Sequence, residues 1–316
     1  MSSPFAGLRV VLVAKFNRRY HQPGLGIAAG LAQLGCEVRR VELRERGLAR
    51  LLGATLPGRL AGAVRGHRPD VVLSYKAAEL VPAGIAAARA GSRARWFNWF
   101  PDSPHHLDLS LEIGAGYDRT FLFDRFMVDR HRALGRAAEF LPLGVDPEFW
   151  APVPSSGPSL PIVFVGSPEE HRDAMLEALA DLGVEVWGPR RPRGPLFGTA
   201  LRRAYGRATV ALNVHQFFGE PAERGWYGTG ANQRVFELAA LGAAQLVDAK
   251  ADIPVSYQPD REIALFGSVP ELRARAEAML ADPAGSRAMG ARARSRTLAE
   301  HTWRHRLEEL LTRGLA

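Results

Sequence analysis

The sequence predicts an α/β protein built from two successive halves, each a parallel sheet covered by helices. Three observations carry this expectation. Short apolar runs alternate with helix-length segments, the alternation restarts after a break rich in glycine and proline, and 316 residues exceed the usual size of one hydrophobic core. The apolar fraction of 47% is that of an ordinary globular chain.

In the first half the apolar runs are 8–14, 36–43, 70–74, 95–99, 120–123 and 138–142. The residues before the first run lack the basic region of a signal peptide. The run is also too short to span a bilayer, so it is expected to be a strand. No later segment is a membrane-span candidate, which points to a soluble, cytoplasmic chain with membrane contact possible only peripherally. Glycine and proline then cluster over 142–161, including Ala151-Pro-Val-Pro-Ser-Ser-Gly-Pro158, where neither a helix nor a central strand persists. A boundary there gives an N-terminal domain over 1–146 and a C-terminal domain over 147–298, with a closing helix over 299–316. The strands expected after the break are 162–166, 184–188, 209–213, 244–248 and 263–266. Leu34-Gly35 and Leu182-Gly183 both stand before alternating strands, as helix C-caps do. From Pro270 onward the chain reads as successive helices, broken near Asp282-Pro283 and around His301-Thr302.

Composition narrows the function classes. A single cysteine, Cys36, excludes an internal disulfide framework and any zinc site built on several thiolates, and its alternating neighbours place it in the core. The net charge of +8 is carried almost wholly by scattered arginines, the lysines being Lys15, Lys76 and Lys250. A nucleic-acid reader would gather that charge into a stripe or module, and none is evident. An anionic ligand such as a nucleoside diphosphate, or an acidic membrane surface, suits the charge better.

Open α/β sheets present ligands at the carboxyl ends of their strands, which directs attention to four loops. After the first strand, Lys15-Phe-Asn17-Arg-Arg-Tyr-His21-Gln-Pro-Gly24-Leu-Gly26 ends in glycines before a helix. Amides there could cradle an anion, although the spacing misses the dinucleotide fingerprint and a glycine-rich turn can be only a turn. After the fourth strand, Trp99-Phe-Pro-Asp102-Ser-Pro-His105-His106 puts a carboxylate and two imidazoles among aromatic rings. That set suits general-base work, or simply a turn capped by Asp102 with exposed histidines. In the second half, Val165-Gly166-Ser167-Pro-Glu-Glu-His-Arg172 opens a helix from a strand, offering a hydroxyl, amides and a guanidinium to an anion; Ser167 could equally be only the N-cap. No His/Cys cluster has metal-ligand spacing and no Asp-x-Asp pair stands ready for a divalent ion, so no metal is expected.

The most informative stretch is a helix opening at Gly228-Thr229-Gly230-Ala231-Asn232, in which Glu237 interrupts an otherwise apolar segment. A carboxylate in such a helix needs partners: the hydroxyls of a ribose or a neighbouring arginine would serve. Arg234, near the positive end of the helix, could reach a diphosphate.

These residues also carry a family resemblance. The runs Thr209-Val-Ala-Leu-Asn-Val-His215-Gln216, Gly230-Ala-Asn-Gln-Arg-Val-Phe-Glu237 and Leu241-Gly-Ala-Ala-Gln-Leu-Val-Asp248 resemble the CgeB-like, spore-maturation-type glycosyltransferases of the GT-B fold. So do Val163 to Arg172, Val186-Trp-Gly-Pro189, Leu141 to Asp146 and the closing Glu300 to Arg306; in the first half Trp99 to Pro104 is the best counterpart. The resemblance implies two Rossmann-like domains facing across a cleft, with the terminal helix packing back on the first. It implies an acceptor bound by the first domain and a nucleoside diphosphate sugar bound by the second, with Glu237 on the ribose and Arg234 near the phosphates. Gly166, Ser167, Arg172, His215, Thr229, Gly230 and Asn232 complete the expected donor set. Asn17, His21, Gly24 and Gly26 form the acceptor or phosphate loop. If stereochemistry inverts, Asp102, His105 or His106 is the expected base. Related retaining enzymes carry a glutamate where this chain has Thr229, which leaves donor sugar and stereochemistry open.

The expectation is therefore metal-independent transfer of a sugar from a nucleoside diphosphate to a hydroxyl-bearing acceptor, with no nucleic-acid partner. The alternative is a non-catalytic GT-B scaffold that binds a sugar nucleotide or serves in envelope assembly.

Overall fold

The structure, a computed structural model, describes residues 3–17, 23–43, 55–102, 104–154, 156–216 and 228–316. It divides into two compact units: Met1–Gly144 with Gly225–Gly230 and Trp303–Ala316, and Val145–Arg224 with Ala231–Thr302.

The first unit holds the strands β1 (Arg9–Ala14), β2 (Glu37–Glu42), β3 (Val71–Tyr75), β4 (Arg95–Phe100), β5 (Arg119–Leu122) and β6 (Ala138–Phe140). They form one parallel sheet in the order β2-β1-β3-β4-β5-β6. β1 and β3 read as nearly unbroken apolar runs because helices cover both faces of a parallel sheet, and every residue of β3 is buried. β2, at the edge, is mostly exposed, with Val41 its one buried residue.

The helices of this unit are α1 (Pro23–Gln33), α2 (Leu56–His67), α3 (Pro82–Arg89), α4 (Leu107–Gly114) and α5 (Arg125–Ala133). Cys36 is buried, its Sγ donates to the Phe5 carbonyl, and burial pushes the thiol up to about 11, which suits packing. Gly35, before β2, has φ +80°, and Gly183, before β8 in the second unit, has φ +74°; left-handed conformations of this kind end a helical turn at little cost only for glycine.

The second unit holds β7 (Leu160–Val165), β8 (Val184–Trp187), β9 (Ala208–Asn213), β10 (Gln245–Asp248) and β11 (Ala264–Phe266), all parallel, in the order β11-β10-β9-β7-β8. Around this sheet lie α6 (Glu170–Glu177), α7 (Gly198–Gly206), α8 (Gln233–Leu241), α9 (Val269–Ala281) and α10 (Pro283–Glu300). Every strand expected from the sequence is present, as are the tail breaks at Asp282 and at His301-Thr302. The last helix, α11 (Trp303–Leu315), belongs to the first unit and packs on α1. The approach is close enough that a Cβ on Gly30 would lie 2.8 Å from Leu307 Cδ1. Trp303 also sets its ring edge-on to Tyr75 and Trp99. Two Rossmann-like sheets with a terminal helix returned to the first make up the expected GT-B architecture.

Two local expectations are corrected. Helix α8 does not open at Gly228: it begins at Gln233, with Asn232 as N-cap. Ser167 caps nothing, since α6 begins only at Glu170, after the turn that Pro168 imposes.

Candidate functional site

In the second sheet β7 lies between β8 and β9, so the connections leaving β7 and β9 diverge and open a crevice at their carboxyl ends. A cavity of about 340 Å³ sits there. Its floor is Phe164 to Ser167 from β7 and Leu212 to Val214 from β9; its walls are Arg172, Tyr205, and Asn232, Gln233, Arg234 and Glu237 from α8.

Arg172 is buried and held from three sides. Its Nε and Nη2 donate to the Val214 carbonyl at 3.1 and 2.9 Å, Nη1 reaches Ser167 Oγ at 3.5 Å, and Glu169 lies 3.6 Å away. Burial pulls the guanidinium down from its ordinary value, and Glu169 and Asp248 oppose the fall. Arg191 braces the same turn from outside by reaching the Gly166 and Ser167 carbonyls and Asp173. Gly188, at φ +152°, admits no side chain, because its Cβ would meet the Gly166 carbonyl oxygen at 2.1 Å.

The entry to α8 is fixed by a polar network. Asn232 Oδ1 accepts from the Val235 amide, and Asn232 exchanges paired amide bonds with Asn213, both at 3.1 Å. The Asn232 backbone amide donates to His215 Nε2 at 3.0 Å, so His215 carries its proton on Nδ1 and donates to Asp248 Oδ1 at 2.7 Å. Burial pushes Asp248 up, but His215 and Lys250 prevail and hold it down at about 2.

One helical turn on, Arg234 Nη1 stands 3.1 Å from Glu237 Oε2. Of the two partners weighed for Glu237, the structure shows the arginine: Glu237 is half-buried, ion-paired with Arg234 and on the cavity wall. The Arg234 guanidinium lies 5.8 Å from the ring centroids of both Trp150 and Tyr205. Tyr205, whose hydroxyl accepts from the Val165 amide and whose burial raises its pKa, and Trp150 were not singled out from the sequence. Neither stands in a motif; a Tyr in α7, just before β9, gives no sign that it faces a cavity.

At the carboxyl ends of the first sheet a second group assembles. Lys76 Nζ lies 2.5 Å from Asp102 Oδ2, and His106 Nε2 lies 3.9 Å from the same oxygen. The His105 and His106 rings lie 3.9 Å apart, tilted by 40°, and burial together with His106 pushes His105 down to about 4, so it is neutral at pH 7. Lys15, after β1, pairs with Glu79 at 2.7 Å. Burial alone would raise Glu79, but Lys15 and Lys76 bring it below its ordinary value.

Lys76 and Ala77 both have positive φ, 63° and 56°, which is costly for residues with a Cβ. Asn98 supports that turn by donating to the Ser74 and Lys76 carbonyls. Asp102 thus meets an ammonium rather than merely capping a turn. Lys76 was named in the sequence only as one of three lysines, and that rarity is the one signal that could have drawn attention to it.

Thr229 and Gly230 belong to the first unit and do not line the cavity. Asp124, the N-cap of α5, accepts from both of their amides at 2.8 and 3.0 Å and from the Thr229 hydroxyl at 3.1 Å. Burial raises Asp124, and these hydrogen bonds oppose the rise. Of the expected donor set the cavity therefore collects Gly166, Ser167, Arg172, Asn232, Arg234 and Glu237, while His215 stands behind Asn232. Gly24 and Gly26 lie in the first turn of α1, where a Cβ on Gly24 would meet the Lys15 carbonyl oxygen at 2.4 Å. Asn17 follows β1 by three residues, and His21 lies outside the described residues. Among the described residues no three His, Cys, Asp or Glu side chains gather as for a metal ion, and no helix is long and apolar enough to cross a membrane.

Two GT-B-type units with this crevice define the class, and comparison with known proteins agrees. Residues 172–312 match a family model described as glycosyl transferase-like. Sucrose-phosphate synthase from Thermosynechococcus elongatus is similar in structure, with a TM-score of 0.66 and 14% identity over 98% of this chain and 99% of that one. Alr3699/HepE from Anabaena, in complex with UDP and glucose, superposes with a TM-score of 0.62 and 11% identity over 96% of this chain and 99% of that one. AviGT4, a glycosyltransferase involved in avilamycin A biosynthesis, gives 0.62 and 15% over 98% and 97%. No curated protein matches the chain.

Proposed function

We propose that the chain is a metal-independent glycosyltransferase of the CgeB-like type, working in the cytoplasm, that moves a sugar from a nucleoside diphosphate donor to a hydroxyl-bearing acceptor. The observation that carries this reading is the convergence of Arg172, Arg234 and Glu237 on one cavity at the switch point of the second sheet. Ribose hydroxyls donate to Glu237, and a diphosphate takes the place of the carboxylate that now faces Arg234. Arg172 and the amide end of α8, which has no acidic residue in its first turn, stabilise charge on the departing diphosphate. The UDP-glucose complex of Alr3699/HepE, a chain of similar fold, supports a nucleotide sugar as the donor class. On the acceptor side, Asp102 with neutral His105 and His106 supplies a base if the stereochemistry inverts. Thr229 is assigned to the interface with Asp124, not to the sugar.

The test is a binding screen of UDP, GDP, TDP and CDP sugars on the wild type and on Glu237→Ala, with and without a chelator. Binding of one donor that Glu237→Ala loses supports the reading. Equal affinity of both chains for every nucleotide sinks the Glu237 assignment, and affinity that vanishes with chelator sinks the metal-free one. Transfer or donor hydrolysis by purified protein separates an enzyme from a binding scaffold.

A further inference from the structure

We propose that Trp150 and Tyr205 are positioning residues of the second-unit cavity: their rings bracket the Arg234 guanidinium and hold it for a diphosphate without cancelling its charge. The inference rests on the donor reading of that cavity and adds to it two side chains that act through Arg234.

Arg234 is the second residue of α8, whose first turn holds no acidic residue. The helix dipole is positive there, so a cation at that place is opposed by its own helix and needs compensation from elsewhere. Glu237 supplies part of it at 3.1 Å. Two rings supply more: the guanidinium carbon lies over Trp150 and over Tyr205, 5.8 Å from each centroid, within the roughly 6 Å at which a ring face attracts a cation. Arg234 still borders the cavity, and 27% of its side chain remains exposed.

Both rings are themselves held by the second unit. Tyr205 is buried, and its hydroxyl accepts from the Val165 amide at 3.0 Å, at the end of β7. Trp150, on the segment that leads into β7, is buried too; its amide donates to the Asp146 carbonyl at 3.0 Å. The Trp150 ring stands edge-on to Phe149 at 5.5 Å, and Phe149 carries the Arg202 guanidinium of α7 at 4.9 Å. Arg202 Nη1 also donates to the Ala151 carbonyl at 3.4 Å. Residues 149–151 are thus tied to α7 through Arg202 and meet α8 through Arg234.

A ring face attracts a cation through its quadrupole and bears no net charge, so it leaves the whole charge of the guanidinium to an incoming anion. A second carboxylate in its place would neutralise that charge. Holding the planar fork in one orientation also lessens the rotamer freedom that an arginine loses when a ligand fixes it. The bracket lets Arg234 exchange Glu237 for a diphosphate without leaving its place.

The test titrates UDP, GDP, TDP and CDP by calorimetry and follows the matching nucleosides by ligand-observed NMR. The chains compared are the wild type, Trp150→Leu, Trp150→Met, Trp150→Phe, Arg234→Met and the double variant W150L/R234M. Trp150→Leu and Trp150→Met should weaken diphosphate binding about tenfold and leave nucleoside binding unchanged, and Trp150→Phe should recover affinity to within about threefold of the wild type. In the Arg234→Met background Trp150→Leu should have no further effect, because the residue it acts through is gone. If Trp150→Leu fails to fold, Trp150→Met, a longer and more adaptable side chain, decides. Diphosphate affinity unchanged in Trp150→Leu overturns the proposal. Equal losses for diphosphate and nucleoside, or a loss in the Arg234→Met background as large as in the wild type, also overturn it and leave Trp150 a packing role. A wild type that binds none of the four nucleotides overturns the donor reading, and this proposal with it.

Discussion

One wall of the second-unit cavity is built from neighbours in sequence: Asn232 caps the helix that carries Arg234, and Arg234 pairs with Glu237 one turn on. At the carboxyl ends of the first sheet the partners come from different strand ends, Lys15 with Glu79 and Lys76 with Asp102. A helix brings residues three and four apart onto one face whatever surrounds it, whereas strand ends meet only once the sheet has formed. The difference teaches where a site is built by local geometry and where by topology.

The largest expected effect sharpens this contrast. On the proposed reading Glu237→Ala removes a charged acceptor for ribose hydroxyls, and nucleotide affinity should fall by about 3 kcal/mol, roughly a hundredfold, as read by calorimetry.

Acid should separate the two units. His131, fully buried in the first unit, donates Nε2–H to Ser110 Oγ, which itself donates to the Leu107 carbonyl, and its Nδ1 has no partner. Burial and then Arg136 push its pKa from the ordinary 6.5 to about 4. As pH falls through this window the unfolded chain takes up the proton first. Stability is therefore full above pH 6.5 and lost towards pH 4, by up to about 3 kcal/mol from this group. Asp248 is also shifted downwards, but because its charged form is favoured, and in a lower window: its contribution in the second unit persists until pH falls below 3.8 and is lost towards about 2. Denaturant melts across this range should show an acid slope above pH 4 that His131→Leu flattens. A slope unchanged by that substitution breaks the comparison.

Asn232→Ala should cost about 1–2 kcal/mol through the lost cap and the paired amides, and should weaken nucleotide binding because the first turn of α8 loosens. Smallest in stability is Lys76→Met. Its half-exposed ion pair is worth less than about 1 kcal/mol, yet turnover should drop while donor affinity stays put. Loss of donor affinity in that variant would show that the two sites do not divide the work in this way.

The charged lining of the second-unit cavity was largely visible in the sequence. Glu237 in an apolar helix, Arg234 beside it and Arg172 after a Gly-Ser-Pro turn are anomalies of local pattern, and local pattern needs no tertiary contact to be seen. Tyr205, Trp150 and Arg191 were not visible, because an aromatic ring or a surface arginine looks the same whether it faces solvent or a guanidinium. The start of α8 was misplaced for a similar reason. Gly228 to Ala231 has the look of a helix entry, but the Thr229 and Gly230 amides are taken by Asp124, remote in sequence.

The amino-acid sequence by itself determined the two parallel sheets, the eleven strands among the described residues and the charged residues around the second crevice. Hydrophobic periodicity and helix spacing are properties of the local chain. Only the tertiary structure decided which unit Thr229 and Gly230 serve, and that Lys76 stands on Asp102. Those partners meet through strand order and burial, which no stretch of sequence encodes alone.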